Sequence, residues 1–256
     1  KTLQKSMNPM SRYGTTPGGP DEYRVAHEKA VRPKDASTLI IVKPGREHRI
    51  LLGKRSMEHK FMPGKFVFPG GKLDYIDQRL KLPCKLQDAV MIRLRKQVQR
   101  RVSDAKLTGL ALAAIRETFE ETGLVIGHPS TMQVRTKHEG WAGYFKRGVI
   151  PPLDQMDFIA RAVTPPYRSR RFDTRFFMIY DDLIQGDSGD LTDTSGELLD
   201  LHWLTLGEAR DTDLPAITRV VIDLVEERTR APRQKQMSKP SPYVRFSKSK
   251  HISTML

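Results

Sequence analysis

A single α/β domain is the fold class the sequence predicts, on three observations. Short β-branched apolar runs alternate with segments whose apolar residues recur every three to four positions. No internal repeat appears, and 256 residues suffice for one substantial core. The hydrophobic fraction is 38% and the charged fraction 29%, a globular balance, and no apolar run approaches the ~18 residues of a transmembrane helix. Cys84 is the one cysteine, which excludes a disulfide framework or a cysteine zinc site and favours a reducing cytoplasmic compartment or an organelle matrix such as the mitochondrial one. Residues 1–20 hold no apolar core of the kind a signal peptide needs.

The elements follow in order. Residues 1–36 carry turn and linker chemistry and read as a flexible segment. Ser37–Lys43 and Arg49–Arg55 read as strands joined by the Lys43-Pro-Gly-Arg turn, and Lys65–Phe68 as a short strand running into Pro69-Gly70-Gly71. Leu86, Val90, Leu94 and Val98 recur every four residues, predicting a basic helix over 85–102 within a helical insert at about 78–107. That stripe predicts docking, with Arg93, Arg95 and Lys96 facing outward or over a cleft. A second helix is expected over 108–122, stopped by Gly123. Residues 128–153 read as irregular. Strands follow at 158–163 and 171–180, a last strand at 198–204, and a helix over 214–228 with Asp213 as N-cap. The domain spans 37–230 on this reading. Residues 231–256, with six Lys and Arg and no acid, read as a basic arm on the surface.

The chemistry concentrates in Arg116-Glu117-Thr118-Phe119-Glu120-Glu121-Thr122-Gly123-Leu124. On a helix Glu117, Glu120 and Glu121 stand at i, i+3 and i+4, so three carboxylates share a face and repel one another by a few tenths of a kcal/mol per exposed pair (about 0.2–0.5). Most charge runs are solvated stripes. Here Ala111, Ala113, Ala114, Ile115 and Phe119 make the helix one that packs, and hard divalent cations would turn the repulsion into a site. Arg116, one turn before Glu120, can fix that carboxylate.

Gly71 followed by Arg116–Leu124 resembles the Nudix box: glycine, five residues, glutamate, seven residues, then Arg-Glu-apolar-x-Glu-Glu-x-Gly-apolar. The second half matches at every defined position. In the first half Asp77 stands where the pattern has Glu, and about 31 residues are inserted between Asp77 and Arg116. Upstream, Leu51–Gly71 resembles the coenzyme A diphosphatase signature: Arg55, Ser56, Gly64 and Phe68–Gly71 fall in register, while Gly53 replaces Thr and Lys60 replaces Arg.

The resemblance implies an α/β/α sandwich with a mixed sheet, and cleavage of a nucleoside diphosphate derivative such as coenzyme A or acyl-coenzyme A. Neighbouring substrates are ADP-ribose and NADH. It implies Mg²⁺ or Mn²⁺ held by Glu117, Glu120, Glu121 and the Gly71 carbonyl. Glu120, Glu121 and Arg116 take catalytic roles, with Glu197 the best later acid as an alternative general base. Arg55, Lys60 and, among the 164–177 arginines, Arg171 are the expected substrate contacts. A homodimer stays open. The net charge of +14 would equally suit an inactive nucleic-acid-binding module, against which stands the complete set of mutually repelling glutamates.

Overall fold

The computed structural model describes residues 31–58, 62–96, 102–186, 198–247 and 250–256. In chain order the elements are β1 (Lys34–Lys43), β2 (Arg49–Arg55), β3 (Phe66–Val67), β4 (Gly70–Lys72), α1 (Asp88–Arg95), α2 (Asp104–Thr122), β5 (Val125–Ile126), β6 (His128–Pro129), α3 (Glu139–Phe145), β7 (Val149–Ile150), β8 (Asp157–Val163), β9 (Phe172–Tyr180), β10 (Ile184–Gln185), β11 (Leu198–Thr205), α4 (Leu206–Asp211), α5 (Ala216–Thr229), α6 (Arg233–Gln236), β12 (Pro242–Ser247) and β13 (Lys250–Met255).

One mixed sheet runs β11-β2-β1-β9-β8-β12-β13, with β3 on β2 and β4 on β1. β1 pairs parallel with β9 and β8 with β12; the other pairings are antiparallel. Period-2 alternation feeds two cores. Leu39 and Ile41 on β1, with Phe177 and Ile179 on β9, pack beneath α1, α2 and α3. Ile40 and Val42, with Phe176 and Met178, pack beneath α4 and α5. Strands buried on both faces explain the unbroken apolar run Leu39-Ile-Ile-Val42, and the three layers form an α/β/α sandwich.

Several expectations are corrected. The helix expected over 85–102 is described only for Asp88–Arg95. Lys96 already has extended backbone, Leu86 is buried ahead of the helix, and Val98 lies outside the described residues. Arg93 does not face outward. It is buried, donating to Asp157 Oδ1 (2.8 Å) and the Met237 carbonyl (2.7 Å). α2 starts earlier than expected, inside the insert, because Ser103 caps it by accepting from the Lys106 amide (3.3 Å). The stretch 128–153 contains α3. Asp213 does not cap α5: Pro215 occupies that position, and Asp213 pairs with Lys65 (2.8 Å).

The segment 231–256 is not an arm on the surface. It contributes α6, β12 and β13, with Tyr243, Val244 and Leu256 buried. Two buried arginines bolt it down. Arg228 donates to the carbonyls of Gln236 (2.6 Å), Lys239 (3.0 Å) and Pro240 (3.1 Å), and Arg93 to Ser241 Oγ (2.6 Å). Asp157 lies between the two guanidiniums.

Candidate active site

α2 carries the site. Ser103 begins it and Gly123, at φ 71°, ends it in the left-handed conformation that glycine adopts without strain. Its buried face, Leu107, Leu110, Ala114 and Ile115 among others, packs on the sheet, which sets the rotation of the helix and so the direction of its glutamates.

Arg116 is the hub. Its guanidinium grips Asp77 through two bonds, Nε to Oδ1 (3.0 Å) and Nη2 to Oδ2 (3.1 Å). It also reaches Glu120 Oε2 (2.8 Å), Glu117 Oε1 (3.0 Å) and the Lys72 carbonyl (3.0 Å). Asp77, 1% exposed, further accepts from Trp141 Nε1 (2.7 Å) and the Asp74 amide (2.8 Å). Asp77 is thus an orienter of Arg116, fully engaged and out of reach of a ligand.

Glu121 is buried and accepts from the Gly70 amide (2.9 Å), tying α2 to the Gly-Gly turn. That turn requires glycine twice. Gly70 has φ 154°, and a Cβ there would overlap the backbone of Ser37 and Thr38. A Cβ at Gly71 would overlap the Glu117 carboxylate. Burial pushes the Glu117 carboxyl up to about 7; Arg116 opposes the shift and Glu120 adds to it.

A cleft of about 510 Å³ opens beside this turn. Gly70, Gly71, Lys72 and Glu117 line one part, and Arg55, Arg170, Phe172, Ile217 and Thr218 another. Five of the residues the sequence points to therefore come together: Gly71, Arg116, Glu117, Glu120 and Glu121. Arg55 lines the same cleft. Arg171 does not: its Nε donates to the Thr164 carbonyl (2.9 Å) and its Nη1 to that of Val31 (2.8 Å), and Arg170 takes the lining position. Lys60 and Glu197 lie outside the described residues. Trp141 and Thr218 carry no motif and were not anticipated. Only the rarity of tryptophan, two in the chain, marks the first.

The donors suit a hard divalent cation. Glu117 and Glu120 supply carboxylate oxygens, and the bare Gly71 backbone lies against Glu117 where a side chain would otherwise sit. Among the described residues no three His, Cys, Asp or Glu side chains already stand clustered for a metal; the glutamates are spent on Arg116 and the Gly70 amide. Among the described residues, too, no helix is long and apolar enough to cross a membrane.

Comparison with known proteins agrees with this architecture. No family model matches. An acyl-coenzyme A diphosphatase of Xenopus laevis, NUDT19, is 25% identical over 209 residues, 64% of this chain. The chain spans about half the length of that curated relative, 54%. A NUDIX hydrolase from Alicyclobacillus acidocaldarius superposes with TM-score 0.56 at 22% identity, over 77% of this chain and 92% of its own. The NUDIX domain of NrtR from Shewanella oneidensis aligns over 78% of this chain and 90% of its own at TM-score 0.43 and 11% identity, too distant to add to this. With the sheet order, the glutamate helix and the glycine turn in place, the chain has the fold of the Nudix hydrolases and resembles their coenzyme A diphosphatase branch.

Proposed function

We infer that the chain hydrolyses the diphosphate of nucleoside diphosphate derivatives with Mg²⁺ or Mn²⁺, and that coenzyme A or acyl-coenzyme A is its substrate class. The observation that carries this reading is Glu117, its carboxyl desolvated against Gly71 in the wall of a cleft that Arg55 and Arg170 also line. A buried acid with a carboxyl near 7 beside a second glutamate is an arrangement a cation relieves and packing alone does not need.

Glu117, Glu120, Glu121 and the Gly71 carbonyl would hold the cation. The chemistry it supplies when bound is neutralisation of the diphosphate and acidification of the attacking water. The chain's own residues do the rest. Arg116, locked by Asp77, sets the rotamers of Glu117 and Glu120 before substrate arrives, so little reorganisation remains for the reaction. Glu121 holds the Gly70-Gly71 turn so that the backbone can approach phosphate. Arg55 and Arg170 carry the guanidinium forks that suit phosphate oxygens. The water's proton passes to a box glutamate or to Glu197. Water adds to phosphorus as the anhydride P–O bond breaks, and two phosphate monoesters leave; from coenzyme A these are 3′,5′-ADP and phosphopantetheine.

The upstream motif, Arg55 above all, favours coenzyme A over ADP-ribose or NADH. A panel of these diphosphates incubated with Mg²⁺ or Mn²⁺, with products identified by mass, tests the reading. Coenzyme A is expected to be cut with the highest kcat/KM. A protein that cleaves nothing in the panel and binds RNA at physiological salt overturns it.

A further inference from the structure

β1 underlies the candidate site. Its Ser37 pairs with Gly71 of β4 in antiparallel register, and residues so paired turn their side chains to the same face of the sheet. That face is the one beneath α2, since Leu39 and Ile41, two and four positions along the strand, belong to the core under that helix. Gly71 has no side chain to place there, and a Cβ built on it would overlap both carboxylate oxygens of Glu117. The Glu117 carboxyl therefore occupies the space beside Ser37 that a side chain at position 71 would take.

Ser37 is 0% exposed, and its hydroxyl has no hydrogen-bond partner among the described residues. A buried hydroxyl left unmatched is uncommon and calls for a reason. The residues paired with it across the sheet offer no side-chain acceptor. On one side is Gly71. On the other, in parallel register on β9, is Arg175, a donor already spent on Asp35 Oδ1 (2.7 Å) and the Asp173 carbonyl (2.8 Å). Over them stands Glu117, whose Oε1 is held by Arg116 (3.0 Å) and whose Oε2 lies over Gly71. Ser37, Gly71 and Glu117 line the same cleft. Alanine would pack as well at this position; the hydroxyl is what packing does not need.

We propose that Ser37 is a positioning residue of the cation site: with a divalent cation bound, its hydroxyl donates to the Glu117 carboxylate. Arg116 then holds that carboxylate from the helix and Ser37 from the strand, and the lone pairs left over face the cation. The unmatched hydroxyl is a donor kept in reserve for the loaded state. The proposal rests on the metal-dependent reading for its cation and on no particular substrate.

Binding of Mn²⁺ alone to the full chain tests this without turnover, read from the loss of the free-ion spin-resonance signal. Ser37→Ala is expected to weaken Mn²⁺ about tenfold, the scale of a hydrogen bond to a charged group. Ser37→Cys, which keeps a weak donor in place, is expected to fall between the two. In a Glu117→Gln background Ser37→Ala should cost nothing further, because the charged acceptor is gone. Melting gives a readout that a packing role would not move. In EDTA Ser37→Ala should melt no lower than the wild type, since it deletes a buried polar atom without a partner. In excess Mn²⁺ the wild type should gain more in Tm than the variant. An equal fall of Tm in EDTA and in Mn²⁺ with unchanged Mn²⁺ affinity overturns the proposal, as does a full further loss in the Glu117→Gln background. A wild type that binds no Mn²⁺ overturns it together with the metal-dependent reading. Hydrolysis of a diphosphate by a protein whose Mn²⁺ affinity ignores Ser37 sinks the proposal alone; Ser37-dependent Mn²⁺ binding with no diphosphate cut sinks the hydrolase reading alone.

Discussion

Two buried arginine–aspartate clusters in this molecule look alike and are built for opposite ends. Around Arg116 stand Asp77, Glu117 and Glu120, with Glu121 close by, so acid outnumbers base and one side opens on a cleft. Around Asp157 stand Arg93 and Arg228, so base outnumbers acid. The surplus donors are consumed by the carbonyls of Gln236, Met237, Lys239 and Pro240 and by Ser241. A cluster whose surplus donors are taken up by backbone carbonyls is a fastening, even though Asp157 Oδ2 keeps only its ion contact with Arg228 (3.4 Å). One whose acids outnumber its base beside a cavity is a site. Buried ion pairs alone do not distinguish the two.

Breaking the fastening is expected to have the largest effect. Asp157→Ala leaves two guanidiniums buried without their carboxylate and should cost about 3–5 kcal/mol of stability. Asp157→Asn provides the milder case should the alanine variant not fold. Chemical denaturation reads the loss, and kcat per folded molecule should hold; a comparable fall in kcat would mean that the two clusters are coupled. Next in size, Glu120→Gln or Glu121→Gln should lower kcat by at least ~10²-fold by removing charge from the donors of a hard cation. In EDTA the same variants should melt no lower than the wild type, since repulsion on the helix is relieved. Wild-type turnover in either one would remove these glutamates from the chemistry.

Trp141→Phe sharpens the comparison from the side of the support. It deletes one donor to Asp77 and keeps most of the packing, so about 1.5 kcal/mol of stability should go. Because Asp77 positions Arg116, kcat should fall while KM hardly moves; an equal change in both would make Trp141 a packing residue only.

The smallest effect is a pH slope. Glu117, with its carboxyl raised from an ordinary 4.5 to about 7, holds its proton more tightly when folded than when unfolded. Its contribution to stability is complete below 4.5 and is lost as pH rises through 7, at no more than about 1.4 kcal/mol per pH unit. Thermal melts in EDTA from pH 4 to 8 should show this decline, and Glu117→Gln should flatten it.

The glutamate helix was legible in the sequence because its chemistry requires side chains at helical spacing, and spacing is local. What supports it was not. Arg116 meets Asp77 across 39 residues, and Trp141 meets Asp77 across 64. A composition that reads 128–153 as loop cannot show that its tryptophan, Trp141, is aimed at the centre of the site. Arg93 misled for the same reason: in a basic helix it reads as surface charge, and only the fold brings Asp157, 64 residues on, against it. The strands at 242–247 and 250–255 were hidden by Pro240, Pro242 and their lysines and arginines, which describe an edge hairpin as well as they describe a loop.

The split in the box has a consequence for the entropy of the chain. Carrying 39 residues rather than about eight between Asp77 and Arg116 raises the cost of closing that loop by only about 1.4 kcal/mol, since the penalty grows with the logarithm of length. The two-bond grip of Arg116 on Asp77 is of a size to offset it. By loop closure alone, then, the segment could be shortened almost freely. Arg93 forbids it: the guanidinium that fastens the C-terminal strands is carried in that same loop, so trimming the slack from the active-site motif would release the far edge of the sheet.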